Sequence, residues 1–504
     1  MRRPPDDPDD PGESGAPGVP ALTGTGDERM QRIGNVSRRR SFLWTAIGIA
    51  LVALGFVGGR LSLIAQHPII AEPAFRNLSA SYNEIRADFL KDTDPSDLIN
   101  GAAEGMVASL DDPYSRFLSK EKGKAYVESY EGEFVGIGVT VRQEDGKFII
   151  TSVIKDAPAD KAGLRAEDVI VQLEGKPVEV KTTEELAQKL RGKEGTKVTI
   201  GISRSGLSEP FQVTLTRAPI KQESVSYEMR EGGIGVVTVT RFAERTAEEF
   251  DKAVEALEKD GMKALLLDLR SNPGGLLTPT IDISNRLVPK DKTILQVVYK
   301  DEKRVITYRS KQEKPWELPI AVLTDSHSAS ASEVLAAALK ESAGATVIGE
   351  TTYGKGVVQR FRQFYDGSVL SLTEAQWRTP NGQWINEKGV EPTIKVSLPE
   401  YASLPPLPSG TLLKEGSYGE HVKTLQSMLE ALGYPADGTP GLFDEATKRS
   451  LESFQRDEKL DVTGELNDRT SYRIVQRLSE KLKKEDAPLL KGIETLKQQL
   501  GART

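Results

Sequence analysis

The spacing of apolar and polar positions divides the chain into stretches with different periods. Residues 41–59, SFLWTAIGIALVALGFVGG, carry no charge. At 1.5 Å per residue a helix of that length spans about 28 Å, close to the hydrocarbon core of a bilayer. In DLINGAAEGMVASL, Leu98, Ile99, Ala102, Met106 and Leu110 recur with a period of 3.6, and residues 73–131 read as helical. Over 132–217 the pattern becomes strand-like in GIGVTVR, KFIITSVI, VIVQLEG, KVTIGISR and FQVTLTR, with short helices at APADKAG and TTEELAQKL. Over 220–398 strands (GIGVVTVT, KALLLDLR, PIAVLTD, ATVIGE) are mixed with helices (TAEEFDKAVEALEKD, SASEVLAAALKES), which predicts an α/β layer. A linker over 399–411, containing SLPPLPSG, closes that region. Residues 412–478 are helical again, with Val422, Leu425, Leu429 and Leu432 on one stripe and Ala446, Leu451 and Phe454 on another. A charged helical tail occupies 479–504. The expected fold is multidomain α+β: a transmembrane helix, a helical region, a β domain, an α/β core and a small helical domain.

The flanks orient the apolar span. Residues 1–30 contain six Pro, five Gly and seven acidic residues, too little apolar surface to offset the entropy of ordering. Segment 1–40 is therefore expected to be disordered and cytoplasmic. Arg29, Arg32, Arg38, Arg39 and Arg40 precede the span, whereas 60–80 carries only Arg60, Glu72 and Arg76. The positive-inside bias then exports everything after residue 60. Arg39-Arg40-Ser41-Phe42-Leu43 also looks like a twin-arginine export signal. No clean small-x-small cleavage site follows in RLSLIAQHP, so the expectation is an uncleaved single-pass anchor with the rest of the chain in the cell envelope.

Composition removes several chemistries. Against 67 Lys and Arg stand 74 Asp and Glu, a net charge of −7 without the basic stripe of a nucleic-acid binder. The absence of cysteine excludes disulfide frameworks, thiolate metal sites and cysteine nucleophiles. His67, His327 and His421 lie far apart, so a histidine-built metal site is not expected and a hydrolase here needs a different base.

AVLTDSHSASASEVLAAALKES (321–342) is a strand running into a helix whose apolar face is Ala331, Val334, Leu335, Ala338 and Leu339. Ser330 and Glu333 are spaced as a capping box, the structural reading of that corner. The chemical reading uses the same corner: a serine before the helix exposes its hydroxyl, and the Ala331 amide at the positive end of the helix can stabilise an oxyanion, worth about 3 kcal/mol per donor. His327 precedes Ser330 by three residues and makes a poor partner. Lys355, in ETTYGKGVVQRF, is the better base once its amine is neutral, with Gly354 and Gly356 permitting close approach and Gln359 able to orient it without adding charge. Gly349–Lys355 also spells the GxxxxGK of a phosphate loop, but Gly356 replaces the magnesium-binding Ser/Thr and the following VVQRF is strand-like. In LLLDLRSNPGGLL, Gly274 and Gly275 could supply a second backbone amide, or simply a tight turn.

Taken together, DDPYSRFL (111–118), DLRSNPGG (268–275), SASASE (328–333) and GKGVVQ (354–359) resemble the carboxyl-terminal processing proteases, tail-specific serine endopeptidases with a Ser-Lys dyad. The resemblance covers about residues 75–398. The separation of 25 residues between Ser330 and Lys355 fits that family and selects Ser330 over Ser328 and Ser332. It implies Ser330 as nucleophile, Lys355 as general base, Gln359 as the residue that positions the lysine, and an oxyanion hole from Ala331 with Gly274 or Gly275. It implies no metal and no cofactor.

Residues 132–217 resemble a PDZ domain, with Gly136-Ile137-Gly138-Val139 where the carboxylate-binding loop belongs, which implies substrates that present a free C-terminus. By the same analogy 73–131 is a dimerisation region. Residues 412–478 resemble a peptidoglycan-binding domain, so peptidoglycan and, through 41–59, the membrane are expected partners and nucleic acid is not. The competing expectation is a catalytically silent PDZ scaffold tethered to membrane and wall.

Overall fold

The computed structural model describes residues 27–502, with side chains from residue 43 onward except those of Ser129 and Glu131. The chain divides into two compact units, with the division after Ile99.

The first unit contains the 40-residue helix Asp27–Gln66. This helix begins inside the segment 1–40 expected to be disordered, and residues 1–26 of that segment lie outside those described. Its portion Leu43–Gln66, 24 residues, is long and apolar enough to cross a membrane. It continues past 59 because Leu61, Leu63 and Ile64 stay apolar and a lone arginine such as Arg60 can extend toward the interface. Pro68 disfavours helical backbone at His67, and the helix stops at Gln66. Helix Phe75–Asp88 follows, and helix Pro95–Ala108 begins on a proline, which needs no amide partner there.

The second unit holds three sheets of four or more strands. The region 73–131 is not wholly helical. Arg116–Leu118 is a strand, paired antiparallel with Val369–Ser371, before helix Lys120–Glu131. Three residues are too few to show a period, which hid this strand in the sequence.

Strands Val139–Glu144, Lys147–Val153, Val169–Leu173, Lys197–Ser203 and Phe211–Thr216 form an antiparallel sheet in that spatial order, around Phe148, Ile150, Leu186, Ile200 and Ile202. Glu133–Gly136 pairs with Ala218–Lys221, closing the chain on both sides of this domain.

The core carries a six-stranded sheet in the order Val225–Arg230, Ile234–Val239, Ala264–Asp268, Ile320–Thr324, Thr346–Gly349, Ile394–Lys395, parallel after its first pair. Its strands read as continuous apolar runs because both faces are covered. Leu265 and Leu267 face helices Thr246–Lys259 and Ala331–Ser342, whereas Ala264 and Leu266 face the opposite layer. That layer is the tail helix Ala487–Gly501, through Leu489, Ile493, Leu496 and Leu500. At Gly492 an added Cβ would lie 2.8 Å from a Leu266 methyl, so a larger residue there would require that side chain to shift. A second, antiparallel sheet centres on the long strand Val369–Arg378, which pairs with Arg116–Leu118, Thr293–Tyr299 and Val357–Gln363.

The C-terminal helices Glu420–Ala431, Glu445–Asp457 and Asp468–Lys484 enclose Val422, Leu425, Phe443, Leu451 and Phe454. The last of them runs through the boundary expected at 478. Its Asp468 carboxylate accepts the amides of Asp145 (2.9 Å) and Gly410 (2.7 Å), and the Arg142 guanidinium lies 4.6 Å from the Tyr472 ring centroid. This helix therefore packs on the hairpin of the first β domain.

Candidate active site

The chain leaves strand Ile320–Thr324, turns, and enters helix Ala331–Ser342 through Ser330 at φ 55° and ψ −112°. A non-glycine residue at positive φ costs about 1–3 kcal/mol and persists only where its surroundings hold it. Here the Ser330 amide donates to the Glu333 carboxylate (2.7 Å), and its carbonyl accepts from the Val334 amide (2.9 Å). The three serines of SASASE then part company. The Ser328 hydroxyl is buried and donates to the Leu269 carbonyl (2.8 Å), and that of Ser332 is buried and donates to the Asn272 carbonyl (2.9 Å). Ser330 instead lines a cavity of about 150 Å³ together with Ala331, Gly275, Lys355 and Gln359. His327 is exposed and does not line it.

The glycine corner closes one side. The Asn272 side chain donates to the Val239 carbonyl (2.8 Å) and accepts the Gly274 amide (2.9 Å), while its carbonyl accepts from the Ala329 amide (3.0 Å). The Gly274 N–H is thus already engaged, whereas the amides of Gly275 and Ala331 have no acceptor among the described residues. Gly274, at φ 99°, is needed for contact: an added Cβ would lie 2.9 Å from Ser330 Cβ and 3.0 Å from the Ala331 nitrogen.

Lys355 enters from the loop after Thr346–Gly349. Gly356 lies so close to Asn386 that a Cβ would fall 2.6 Å from its amide, and the Trp377 and Trp384 indoles donate to the carbonyls of Lys355 and Gly356, both at 2.8 Å. The loop leads into strand Val357–Gln363, leaving no helix N-terminus for a phosphate, so the GxxxxGK spelling is coincidental. Glu333, seen in the sequence as a helix cap, is fully buried and joins the two loops. Besides Ser330 its carboxylate accepts the Lys355 amide (2.9 Å), the Gly354 amide (2.7 Å) and the Thr352 hydroxyl (2.5 Å). Burial pushes this carboxyl above the usual glutamate range, against those bonds.

Burial, reinforced by the Arg116 charge and opposed by Glu333 and Asp112, holds the Lys355 amine below the usual lysine range. Leu295, Val334, Val358 and Trp377 supply the apolar wall. The amine lies over the Tyr114 ring, 4.9 Å from its centroid, and burial pushes the Tyr114 phenol up to about 12. Among the described residues no hydrogen bond joins Lys355 Nζ to Ser330 Oγ or to Gln359. Gln359 Nε2 donates to Thr373 Oγ1 (3.1 Å), and the Thr373 amide donates to the Ser115 hydroxyl (3.0 Å). The stretch 111–118 thus surrounds the amine, a role nothing local in its sequence announces. Tyr130, stacked on Phe361 at 6.0 Å, roofs the cavity with Tyr126 and was likewise not foreseen.

A second cavity, about 300 Å³, is lined by Gly136, Ile137, Gly138 and Val139 together with Leu186 and Leu190. The amides of Ile137 and Gly138 have no acceptor among the described residues. Gly138 stands at φ 81°, and an added Cβ would lie 2.3 Å from Ala157 Cβ.

Comparison with known proteins assigns these parts. Peptidase family S41 matches residues 233–396, a PDZ domain 149–204, a peptidoglycan binding domain 418–474, and the N-terminal domain of the activating protease CtpB 65–122. Over 459 residues the chain is 39% identical to the carboxy-terminal processing protease CtpA of Bacillus subtilis (strain 168), covering 91% of this chain and 98% of that protein. A "Probable CtpA-like serine protease" of Staphylococcus aureus (strain MSSA476) is 37% identical over 458 residues, 91% of each. Among solved structures, a photosystem II D1 C-terminal processing protease aligns with 28% identity and a TM-score of 0.39, over 67% of this chain and 89% of that one. With a relative 39% identical over 91% of this chain, the chain belongs to the carboxy-terminal processing proteases, serine endopeptidases of peptidase family S41 with a PDZ domain.

Proposed function

We propose that Ser330 and Lys355 form the catalytic dyad and that substrates are taken by their C-terminal tails. The carrying observation is one cavity lined by Ser330, Lys355, Ala331 and Gly275 while the hydroxyls of Ser328 and Ser332 are engaged elsewhere. Neutral Lys355 Nζ accepts the Ser330 proton as Oγ attacks the scissile carbonyl carbon. The amides of Ala331 and Gly275 hold the resulting oxyanion, and Gly274 contributes close packing in place of a donor. Collapse breaks the C–N bond, and the leaving amine takes the proton from Lys355. Water, deprotonated by the same amine, then hydrolyses the Ser330 ester. Gln359 Oε1, which has no donor among the described residues, receives the amine once it turns from Tyr114 toward Ser330.

The amides of Ile137 and Gly138 bind the terminal carboxylate, and Val139, Leu186 and Leu190 receive the last side chain. The apolar helix anchors the chain once through the membrane, and the C-terminal module holds peptidoglycan on the far side. Helix Pro95–Ala108 leaves Ile99 and Met106 more than half exposed, which supports a homodimer through 73–131. The seating of the Lys355 amine over Tyr114, with no hydrogen bond to Ser330 among the described residues, favours the alternative, a silent scaffold that binds tails without cutting them.

Peptides with free and amidated C-termini separate these readings. The full chain should cleave the free form with a KM roughly tenfold lower or better, as a lost charge-assisted contact implies. Gly138→Val should remove that preference by closing the loop on Ala157. Binding of the free peptide with no cleavage at any pH would establish the scaffold instead.

A further inference from the structure

The tail beyond the peptidoglycan-binding domain packs on the protease core, where Asp486 meets Arg270. We propose that Asp486 is a positioning residue for the Ser330 site, acting through Arg270 on the loop that carries Gly275. This inference rests on the oxyanion reading above.

Arg270 is the second residue after strand Ala264–Asp268 and stands two residues before Asn272. Its guanidinium is gripped from two sides. Nε and Nη2 donate to Asp268 at 2.9 and 2.6 Å, and Nη1 and Nη2 donate to Asp486 at 2.7 and 2.9 Å. All three side chains are largely buried, at 14% exposure for Arg270, 11% for Asp268 and 14% for Asp486. Paired bidentate contacts of this kind fix the orientation of a planar guanidinium as well as its position.

The segment after Arg270 is strained and fully committed. Ser271 stands at φ 55°, with its amide and hydroxyl both on Asp325. Asn272 then orders Gly274, Ala329 and Ser332. A shift of the strand exit would therefore pass directly to Gly275 and to the loop holding Ser330. Asp486 also accepts the Leu489 amide (3.0 Å), so the carboxylate that grips Arg270 caps the helix packed on Leu266 and Leu323. Position 486 thus links the seating of the tail helix to the base of the glycine corner.

Asp486→Asn keeps the helix cap, because asparagine caps a helix about as well as aspartate, while it removes the charge and sets an NH₂ group against Arg270 Nη2. In the full chain, with a fluorogenic peptide bearing a free C-terminus, this variant should lose roughly tenfold in kcat with KM unchanged, as expected for a contact felt in the transition state. Asp486→Glu should recover most of the loss. Full kcat in Asp486→Asn overturns the proposal. So does a loss that accompanies lost native circular dichroism or a matching rise in KM, either of which assigns Asp486 to stability or binding alone. Ser330→Ala is the control: if it is inactive while Asp486→Asn is not, this inference alone fails. Turnover retained in Ser330→Ala brings down the site itself.

Discussion

Lys355→Ala is expected to lower kcat by about 10⁴-fold or more, with Ser330→Ala equally inactive and the double variant no worse than either, because the two groups act as one unit. The expectation rests on placement. Ser330 and Lys355 line one cavity, and the amine is half-buried beside Leu295, Val334, Val358 and Trp377, where its charged form is disfavoured. Both side chains extend from loops tied by backbone bonds, so truncation should leave the native far-ultraviolet spectrum intact. His327→Ala is the contrast. Its ring is exposed and outside the cavity, and activity should stay within about twofold of the unaltered chain, as for surface substitutions generally. Near-normal turnover in Lys355→Ala with loss in His327→Ala would reverse the assignment of the base.

The second large effect is expected at Glu333. In Glu333→Gln one oxygen becomes an NH₂ group, which must face donors it cannot accept: the Ser330 and Lys355 amides on one side, or the Gly354 amide and Thr352 hydroxyl on the other. Leaving buried donors unpaired costs about 1–3 kcal/mol each, so urea unfolding should show a loss of that order. The fraction that stays folded should turn over roughly tenfold more slowly or worse, because nucleophile and base lose the tether common to both loops. Unchanged stability and kcat would mean that the carboxylate does not set their separation.

Much of this architecture was legible in the chain. The runs KALLLDLR and PIAVLTD read as buried strands because neither face meets water, and the stripe Val334, Leu335, Leu339 identified the helix that follows Ser330. Strand Val369–Arg378 was missed for a physical reason. Its inward positions include Ser371 as well as Val369, Ala375 and Trp377, so polarity does not alternate cleanly along it. The tail shows a different limit. Leu489, Ile493, Leu496 and Leu500 define an apolar face, but a period of 3.6 states that a face is buried and not what buries it. At the site, local sequence offered three serines, and resemblance chose among them. In the structure the hydroxyls of Ser328 and Ser332 are held by carbonyls of the neighbouring loop, and Ser330 is the one of the three that lines the cavity with Lys355. Tyr114 and Arg116 act from more than 200 residues away in sequence, a proximity that spacing along the chain cannot reveal.

The pH dependence of kcat/KM, measured on a slow amide substrate so that chemistry is rate-limiting, tests the neutral-amine mechanism most directly. Activity should rise with pH as Lys355 loses its proton, with a midpoint below the ordinary lysine value of about 10.4. Arg116→Gln should move that limb to higher pH, since removing the neighbouring positive charge favours the ammonium form. A rate flat from about pH 5 to 9 in the unaltered chain, or a limb that ignores Arg116, would contradict a lysine base.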